Sequence, residues 1–263
     1  MSRTVRLDTL LARRGLFESR ARAAAAVLAG DVLLLPQRRR ALKPGEMVGE
    51  DTQVELAERP AYVSRGGVKL ANALDALGLD VSGVGALDVG ASTGGFTDCL
   101  LQRGAAHVIA LDVAYGQLHW RLREDPRVTV IERRNARFLE TGELPYAPGL
   151  IVVDVSFISL AKVLPAVLAC AAPRYDCLAM VKPQFEAGRE QVGKGGVVRD
   201  PHVRRGALVS VGRAALGLGA AVQAFAGSGL PGPKGNIETF VWITERARNG
   251  VGDLEAAARE VEP

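Results

Sequence analysis

The fold is decided by residues 87–96, which read Leu87-Asp88-Val89-Gly90-Ala91-Ser92-Thr93-Gly94-Gly95-Phe96. The mostly apolar residues 86–89 predict a buried strand, and a Gly-rich turn follows that strand directly. In an open parallel sheet, ligands bind beyond the carboxyl ends of the strands, where glycines let a ligand approach the backbone. The turn at residues 90–96 is therefore expected to border a ligand site. A structural turn without a ligand is the alternative.

The order of residues in this turn bears on the kind of ligand. The dinucleotide pattern GxGxxG is not met, because Ala91 and Ser92 follow Gly90. The acid two residues before Gly90 suits the aminoacyl end of S-adenosylmethionine better than a pyrophosphate. Asp112 ends the next predicted strand and is placed to accept hydrogen bonds from ribose hydroxyls. We therefore expect this cofactor to contact Asp88, Gly90, Ala91, Ser92, Thr93, Gly94, Gly95, Phe96 and Asp112. A side chain at position 94 or 95 is expected to obstruct the cofactor while leaving the fold largely intact.

Outward from the turn, predicted strands alternate with helical segments. The strands are expected at residues 86–89, 108–113, 128–131, 150–155, 178–182, 221–226 and 237–244. A helix with an apolar stripe precedes them, with Ser64 as its cap and Gly78 as its stop. This alternation predicts an α/β domain with a mainly parallel sheet of seven strands and helices on both faces.

Four charged residues are expected to meet at one edge of that sheet. Asp154 and Lys182 each end a predicted strand, Lys69 lies in the helix upstream, and Glu238 opens the last strand. A structural ion-pair network is the plain alternative. The chemical alternative is methyl transfer to a ribose hydroxyl, which needs proton removal and in-line placement of the reacting atoms. A lysine can act as the base in its neutral form, which burial and a second lysine favour.

A second Gly-rich string, at residues 188–194, satisfies the spacing GxxxxGK of a nucleoside triphosphate site. Gly195 stands where that motif has the Ser or Thr that holds magnesium. The string also lies in a long loop after Lys182 rather than in a strand-to-helix turn. We interpret it as a flexible loop on the substrate side.

The N-terminal part of the chain is basic. Residues 1–45 contain ten Lys or Arg and three acids, a net charge of +7, so within a total of +4 the remainder carries −3. Lys and Arg that neutralise phosphates release counterions and so supply affinity for nucleic acid. The pattern favours a docking module for a polyanion, with a solvated basic surface as the alternative.

Two short helices and a strand are predicted in this basic part, the first helix ending at Gly15 and the second running from Ser19 to Gly30. Residues 6–34, RLDTLLARRGLFESRARAAAAVLAGDVLL, resemble the small RNA-binding domain named after the fourth protein of the small ribosomal subunit. The resemblance covers roughly residues 5–59. The arginines expected to contact RNA are Arg6, Arg13, Arg14, Arg20 and Arg22.

Residues 62–244 resemble FtsJ-like ribose 2′-O-methyltransferases, which have a Rossmann-like fold. The whole chain resembles the TlyA family of ribosomal RNA methyltransferases, also called haemolysin A-like. The strings that carry this resemblance are YVSRGGVKL, LDVGASTGGFTD, DVAYGQL, RRNAR, DVSFISL, VKPQFE and GNIE. The resemblance implies 2′-O-methylation of cytidine in ribosomal RNA, with S-adenosylmethionine as donor and ribosomal RNA or ribosomal subunits as partner.

The resemblance also implies roles for individual residues. The catalytic residues would be Lys69, Asp154, Lys182 and Glu238, and Asn135 would contact the adenine of the cofactor. The domains would be an RNA-binding domain at 1–59, a linker at 60–63 and a methyltransferase domain at 64–263. Family members have Arg-Ala-Trp-Val between the domains, where this chain has Pro-Ala-Tyr-Val at 60–63.

Several other classes are disfavoured by composition and pattern. The longest uncharged stretch, 214–233, is broken by glycines and prolines, so no membrane span is expected. No signal-peptide pattern opens the chain, and we expect a cytoplasmic protein with no membrane or protein partner. Three cysteines without CxxC spacing are expected to be core thiols, and no metal is expected. The alternatives left open are a non-catalytic ribosome-binding or assembly factor, a cytolytic haemolysin and a small-molecule methyltransferase.

Overall fold

The computed structural model describes residues 4–28, 31–56 and 60–262, and the chain forms two compact units, 1–60 and 61–263. The first unit contains β1 (Thr4–Arg6), α1 (Leu7–Arg13), α2 (Arg20–Leu28), β2 (Val32–Leu34), β3 (Arg39–Arg40), β4 (Met47–Gly49) and β5 (Val54–Leu56). Within the described ranges, β1 pairs with β4, and β3, β2 and β5 form a second small sheet, all antiparallel.

The two helices of this unit form where the sequence predicts them. Leu7, Leu11 and Val27 bury the apolar faces of α1 and α2 against β2. The hydroxyl oxygen of Ser19 accepts a hydrogen bond from the backbone N–H of Arg22 at 3.2 Å, so Ser19 is an N-cap. The expected stop at Gly30 lies outside the described residues.

The second unit alternates strands and helices. Its helices are α3 (Arg65–Leu77), α4 (Gly95–Gln102), α5 (Trp120–Arg123), α6 (Leu164–Ala169), α7 (Pro183–Glu186), α8 (Pro201–Gly217) and α9 (Leu254–Val261), with short 3-10 helices at Ala136–Phe138, Leu160–Lys162 and Arg189–Gln191. Its strands are β6 (Gly85–Val89), β7 (His107–Leu111), β8 (Val128–Ile131), β9 (Leu150–Val153), β10 (Asp176–Val181), β11 (Ala220–Gly227) and β12 (Thr239–Glu245).

Among residues 60–262, these strands form one sheet of seven strands in the order β11-β12-β10-β9-β6-β7-β8. The strands from β10 to β8 pair in parallel, and β12 is antiparallel to both of its neighbours. The predicted mainly parallel sheet is therefore confirmed. Because β12 runs the other way, its first residue lies at the same edge as the last residues of β9 and β10. This reversal brings Glu238 to the edge where the other expected site residues lie.

The sheet is buried on both faces. Leu70 of α3 and Leu100 of α4 pack on one face, and Val167 of α6 and Leu208 of α8 pack on the other. The expectation of helices on both faces is confirmed. The three cysteines of the chain are buried as free thiols, in agreement with their interpretation as core residues.

Several strands begin or end at other residues than expected, and the cap of α3 differs in detail. Strand β7 ends at Leu111 rather than at residue 113, because the Asp112 carboxylate accepts a hydrogen bond from the N–H of Ala114 at 2.7 Å and turns the chain. Strand β12 begins at Thr239, two residues later than expected. Ser64 is the N-cap of α3, but its side chain makes no capping hydrogen bond.

Candidate active site

A cavity of about 730 Å³ opens at the carboxyl edge of the parallel strands. The expected site residues that line it are Lys69, Asp88, Gly90, Ala91, Ser92, Thr93, Gly95, Phe96, Asp154, Lys182 and Glu238. The structure thus brings the four charged residues and most of the Gly-rich turn to one cavity. Small-molecule sites are usually cavities of about 300–1,000 Å³, so this one can hold a cofactor-sized ligand.

Lys182 stands directly after β10 and is nearly buried. Its amine lies 2.5 Å from Oδ1 of Asp154 and donates a hydrogen bond to Oγ of Ser156 at 2.9 Å. Asp154 follows β9, which is the parallel neighbour of β10, so the two residues leave adjacent strands at the same edge. The carboxylate and the hydroxyl hold the amine at the cavity wall.

Lys69 and Glu238 form a second ion pair in the same cavity. The amine of Lys69, on the inner face of α3, donates to Oε2 of Glu238, just before β12. The side chain of Lys69 is 9% exposed and that of Glu238 is 2% exposed. Two charges buried this deeply depend on each other, because either one alone would lack compensation.

Gly90 lines the cavity and also packs closely on the backbone that follows β9, a contact that the sequence did not predict. Its φ is +85°, and a Cβ atom there would lie 2.4 Å from the carbonyl oxygen of Asp154. A side chain at this position would therefore push apart the ends of β6 and β9.

The expectation that a side chain at Gly94 would leave the fold largely intact is wrong. A Cβ atom on Gly94 would lie 2.2 Å from Cδ1 of Leu122 and 2.8 Å from Cδ1 of Leu118, and φ at this residue is +93°. A side chain would thus strain the backbone and strike apolar packing on the protein side of the turn. At Gly95 it would strike Oγ of Ser64 at 2.1 Å. Substitution at either glycine should disturb the fold first, and Gly94 does not line the cavity.

Asp88 is fully buried at the end of β6. Its Oδ2 accepts hydrogen bonds from the N–H of Thr97 at 2.9 Å and from the Thr97 hydroxyl at 2.7 Å. Its Oδ1 has no hydrogen-bond partner among the described residues. Burial raises the pKa of Asp88 to about 7, against the hydrogen bonds from Thr97. The carboxyl group therefore offers the cavity an unused acceptor.

Asp112 and Asn135 lie outside the lining of the cavity. Asp112 accepts from the N–H of Ser92 through Oδ2 at 2.7 Å and from Ala114 through Oδ1, so it braces the Gly-rich turn. Asn135 is exposed, and its Oδ1 accepts from the N–H of Arg137 at 3.0 Å at the start of a 3-10 helix.

Among the cavity residues that the sequence did not single out, Ser156 and Phe157 lie beside Lys182 and at the cavity mouth. Ser156 holds the Lys182 amine, and Phe157 is 91% exposed with φ of +65° and packs on Phe185. The string DVSFISL contained both residues, but a Ser or Phe after a strand gives no signal of its own. Only the conformation of the loop shows that the Phe157 ring faces solvent.

Comparison with known proteins agrees with this geometry. The model of the FtsJ-like methyltransferase family matches residues 62–245. The class defined by the fold and the cavity is therefore that of the FtsJ-like methyltransferases. The 16S/23S rRNA (cytidine-2′-O)-methyltransferase TlyA of Mycobacterium tuberculosis is 48% identical over 99% of this chain and 98% of its own.

Two further proteins cover most of this chain. A Bacillus subtilis protein, YqxC, provisionally described as an rRNA methyltransferase, is 44% identical over 92% of this chain and 86% of its own. A solved structure from Streptococcus thermophilus, provisionally described as a hemolysin, has a TM-score of 0.74 and 38% identity and covers 99% of this chain and 96% of that one. The chain belongs to the TlyA family of methyltransferases, and the resemblance found in the sequence is confirmed.

Proposed function

We propose that the protein transfers a methyl group from S-adenosylmethionine to the ribose 2′-hydroxyl of cytidine in ribosomal RNA. The observation that carries this proposal is the meeting of Lys182, Asp154, Lys69 and Glu238 in one cavity with the Gly-rich turn. The name of the M. tuberculosis relative supplies the substrate class.

The cavity fits S-adenosylmethionine on three structural grounds. Residues 90–93, 95 and 96 of the turn line the cavity, the volume suits a cofactor, and Oδ1 of Asp88 is a buried acceptor without a partner in the described chain. An ammonium group of the cofactor would satisfy that acceptor. We assign Asp88 and the turn to the cofactor. We also assign Asp112 and Asn135, since a carboxylate or amide oxygen that already accepts one hydrogen bond can accept a second.

The bound cofactor would supply a methyl carbon activated by its sulfonium. In the proposed reaction, neutral Lys182 removes the proton from the 2′-hydroxyl while the carbon–oxygen bond forms and the carbon–sulfur bond breaks. Asp154 and Ser156 hold the Lys182 amine at the wall of the cavity, which fixes the direction of proton transfer. Lys69, held by Glu238, places a second amine in the same cavity.

We propose residues 1–59 as the RNA-binding domain, 60–63 as the linker and 64–263 as the methyltransferase domain. Most of the expected RNA-binding arginines keep exposed guanidinium groups: the side chains of Arg13 and Arg22 are 66% and 70% exposed. Arg6 and Arg20 both contact the Asp8 carboxylate, at 2.7 and 3.2 Å, which fixes their positions. Arg14 donates to the carbonyl oxygens of Thr52 and Glu50, so its first role is structural.

The methyltransferase unit also presents side chains suited to RNA. Arg133 lies over the exposed ring of Tyr115, with its Cζ 4.3 Å from the ring centroid, and Arg121 lies near the ring of Trp120. Exposed aromatic rings next to arginine stack on unpaired bases with little sequence preference. Phe157 adds a further exposed aromatic ring, at the cavity itself.

A cytolytic function has only the names of relatives in its favour. No helix in the described ranges combines the length and the apolar character that crossing a bilayer requires. A non-catalytic assembly factor would bind ribosomal subunits equally well, so activity has to be measured.

The proposal is tested with purified protein, ribosomal subunits and S-adenosylmethionine that carries a labelled methyl group. We expect label to enter ribosomal RNA with the wild-type protein and not with the Lys182→Ala variant. Subunit binding without transfer by the wild type would favour the assembly factor instead.

A further inference from the structure

The glycine-rich loop that resembles a phosphate-binding motif has a defined structure beside the cavity. The N–H of Gly193 donates to the carbonyl of Val197 at 3.1 Å, and the N–H of Gly196 donates to the carbonyl of Gly193 at 3.0 Å. Gly195 and Gly196 have φ of +84° and +78°, which favours glycine at both positions. Gly196 lines the cavity, so residues 193–198, the glycine loop, form part of its wall.

Asn236 attaches this loop to the segment that leads into β12. The Asn236 side chain accepts a hydrogen bond from the N–H of Val198 at 2.9 Å and donates one to the carbonyl of Gly196 at 2.8 Å. The residue is 2% exposed. A single carboxamide thus satisfies a donor and an acceptor that lie two residues apart on another segment. An amide can do both because it carries both kinds of group in one plane.

The segment that bears Asn236 packs on Glu238, one of the four charged residues of the cavity. The N–H of Gly232 donates to the carbonyl of Asn236 at 2.8 Å, which closes a turn at residues 232–236. A Cβ atom on Gly232 would lie 2.4 Å from Oε1 of Glu238, so the turn packs directly on the carboxylate that pairs with Lys69. Asn236 therefore links the glycine loop to Glu238 through one short segment, in which the side chains of Asn236 and Glu238 are buried.

Exposed lysines stand on both joined segments. Lys234, in the turn, lines the cavity, and its Nζ lies 3.8 Å from where a Cβ atom of Gly196 would be. Lys194 is an exposed residue of the glycine loop. A phosphate group of an RNA strand entering the cavity would meet Lys234, which lies beside Gly196 only while the two segments stay joined.

We propose that Asn236 is a positioning residue, whose two hydrogen bonds hold the glycine loop against the Lys234 turn as a fixed wall for the acceptor RNA strand. This inference rests on the function proposed above. It assigns the end of the GxxxxGK string, Gly193 and Lys194, to the RNA acceptor and not to a nucleotide phosphate. The alternative is an amide that only contributes to folding stability.

The two roles differ in which step they affect. The hydrogen bonds of Asn236 go to Val198, Gly196 and Gly232, and among the described residues none goes to the Gly-rich turn, so losing the amide should leave cofactor affinity unchanged. The wall for RNA would become mobile, which should raise KM for ribosomal subunits and lower kcat. A residue that matters only for stability would lower the melting temperature and leave the kinetics of the folded enzyme unchanged.

The test uses the full-length Asn236→Asp variant. An ionised carboxylate can still accept from Val198, but it cannot donate to Gly196, whereas a protonated carboxyl can donate again. The charged groups around it are Lys234 and Glu238 on its own segment, Lys69 paired with Glu238, Lys194 on the glycine loop and Arg199 directly after that loop. The wild type contains the same charged groups, so their effect on activity cancels when the two proteins are compared at one pH. The quantity measured is therefore the ratio of variant to wild-type kcat/KM at each pH.

We expect this ratio to be about 0.01–0.1 at pH 8 and to rise as the pH falls towards 5.5, with the Kd for S-adenosylmethionine changed less than about twofold. In the Asn236→Ala variant the ratio should be low at every pH. The matched control is Gln223→Glu, the same change from an amide to an acid. The Gln223 amide donates a hydrogen bond to Thr244, which lies near the other end of β12, away from the cavity. Its ratio should stay near one.

Wild-type kinetics in Asn236→Asp, or a loss of cofactor affinity that accounts for its lower activity, would overturn the inference. Should the variants fail to fold, hydrogen exchange of the wild-type enzyme decides: slow exchange at the amide of Val198 supports the attachment, and fast exchange in the folded enzyme overturns it. A wild-type enzyme that transfers no methyl group contradicts the proposed function instead.

Discussion

Lys69 and Glu238, 169 residues apart in the chain, form an ion pair almost wholly removed from solvent. A second pair, Lys182 with Asp154, lines the same cavity and is less deeply buried. The two pairs differ in what their loss should do. Breaking the buried pair should affect both folding and activity, and breaking the more accessible pair should mainly affect activity.

Lys182→Arg should be nearly as inactive as Lys182→Ala. A guanidinium group stays protonated at any working pH and cannot accept the hydroxyl proton. We expect single-turnover methylation rates about 10²- to 10⁴-fold below wild type for both variants, with cofactor binding retained. The exposed Lys162 is the control, and Lys162→Arg should be fully active. Substantial activity in Lys182→Arg would leave positioning, rather than base catalysis, as the role of this residue.

Single substitutions of the buried pair should destabilise the protein more than the double substitution. Lys69→Met or Glu238→Leu alone leaves a buried charge without compensation, which typically costs about 3–5 kcal/mol. The double variant removes both charges, so part of the free energy of unfolding should return while activity stays lost. Urea unfolding of the three variants measures the coupling. Additive losses would mean that the two residues act independently.

Asp88 should make stability depend on pH. Burial raises the pKa of Asp88 from an ordinary value near 4 to about 7, so the folded protein holds a proton that the unfolded chain releases. The stability that this proton gives the folded state is fully present below about pH 4 and is lost as the pH rises through 7. Asp88→Asn keeps the acceptor for Thr97 and cannot ionise. The free energy of unfolding of the variant minus that of the wild type, measured without cofactor, should therefore increase by about 2 kcal/mol from pH 5.5 to pH 8. An equal difference at both pH values would show that burial does not hold the proton.

Arg13 and Arg22 should contribute to RNA affinity through charge alone. Replacing both by Ala should weaken binding to ribosomal subunits and reduce the logarithmic salt slope by about 0.7–0.9 for each phosphate that the protein no longer neutralises. The control is Arg213→Ala, since the Arg213 side chain is equally exposed at 70% and likewise paired with a glutamate. A salt slope that stays unchanged would place this cluster away from the RNA.

The sequence predicts the sheet and its edge well because both depend on local patterns. Apolar runs such as residues 150–153 mark strands, and the rule that parallel strands end at one edge brings Asp154 and Lys182 together. Strand ends are less predictable: Asp112 turns the chain after Leu111 through a hydrogen bond that apolar periodicity does not reveal.

Packing between distant segments accounts for what the sequence did not show. A Gly94 side chain would strike Leu118 and Leu122, which pack beneath the turn from a later segment. The attachment of the glycine loop by Asn236 joins residues about 40 positions apart, and nothing in the string GNIE indicates which backbone it binds.

The most direct measurement of the central claim is the chemical identity of the methylated product. Ribosomal RNA that lacks the modification is incubated with the enzyme and S-adenosylmethionine, digested to nucleosides and analysed by mass spectrometry. We predict 2′-O-methylcytidine with the wild-type protein and none with Lys182→Ala. A methyl group found on a base, or no methylated nucleoside at all, would contradict the account.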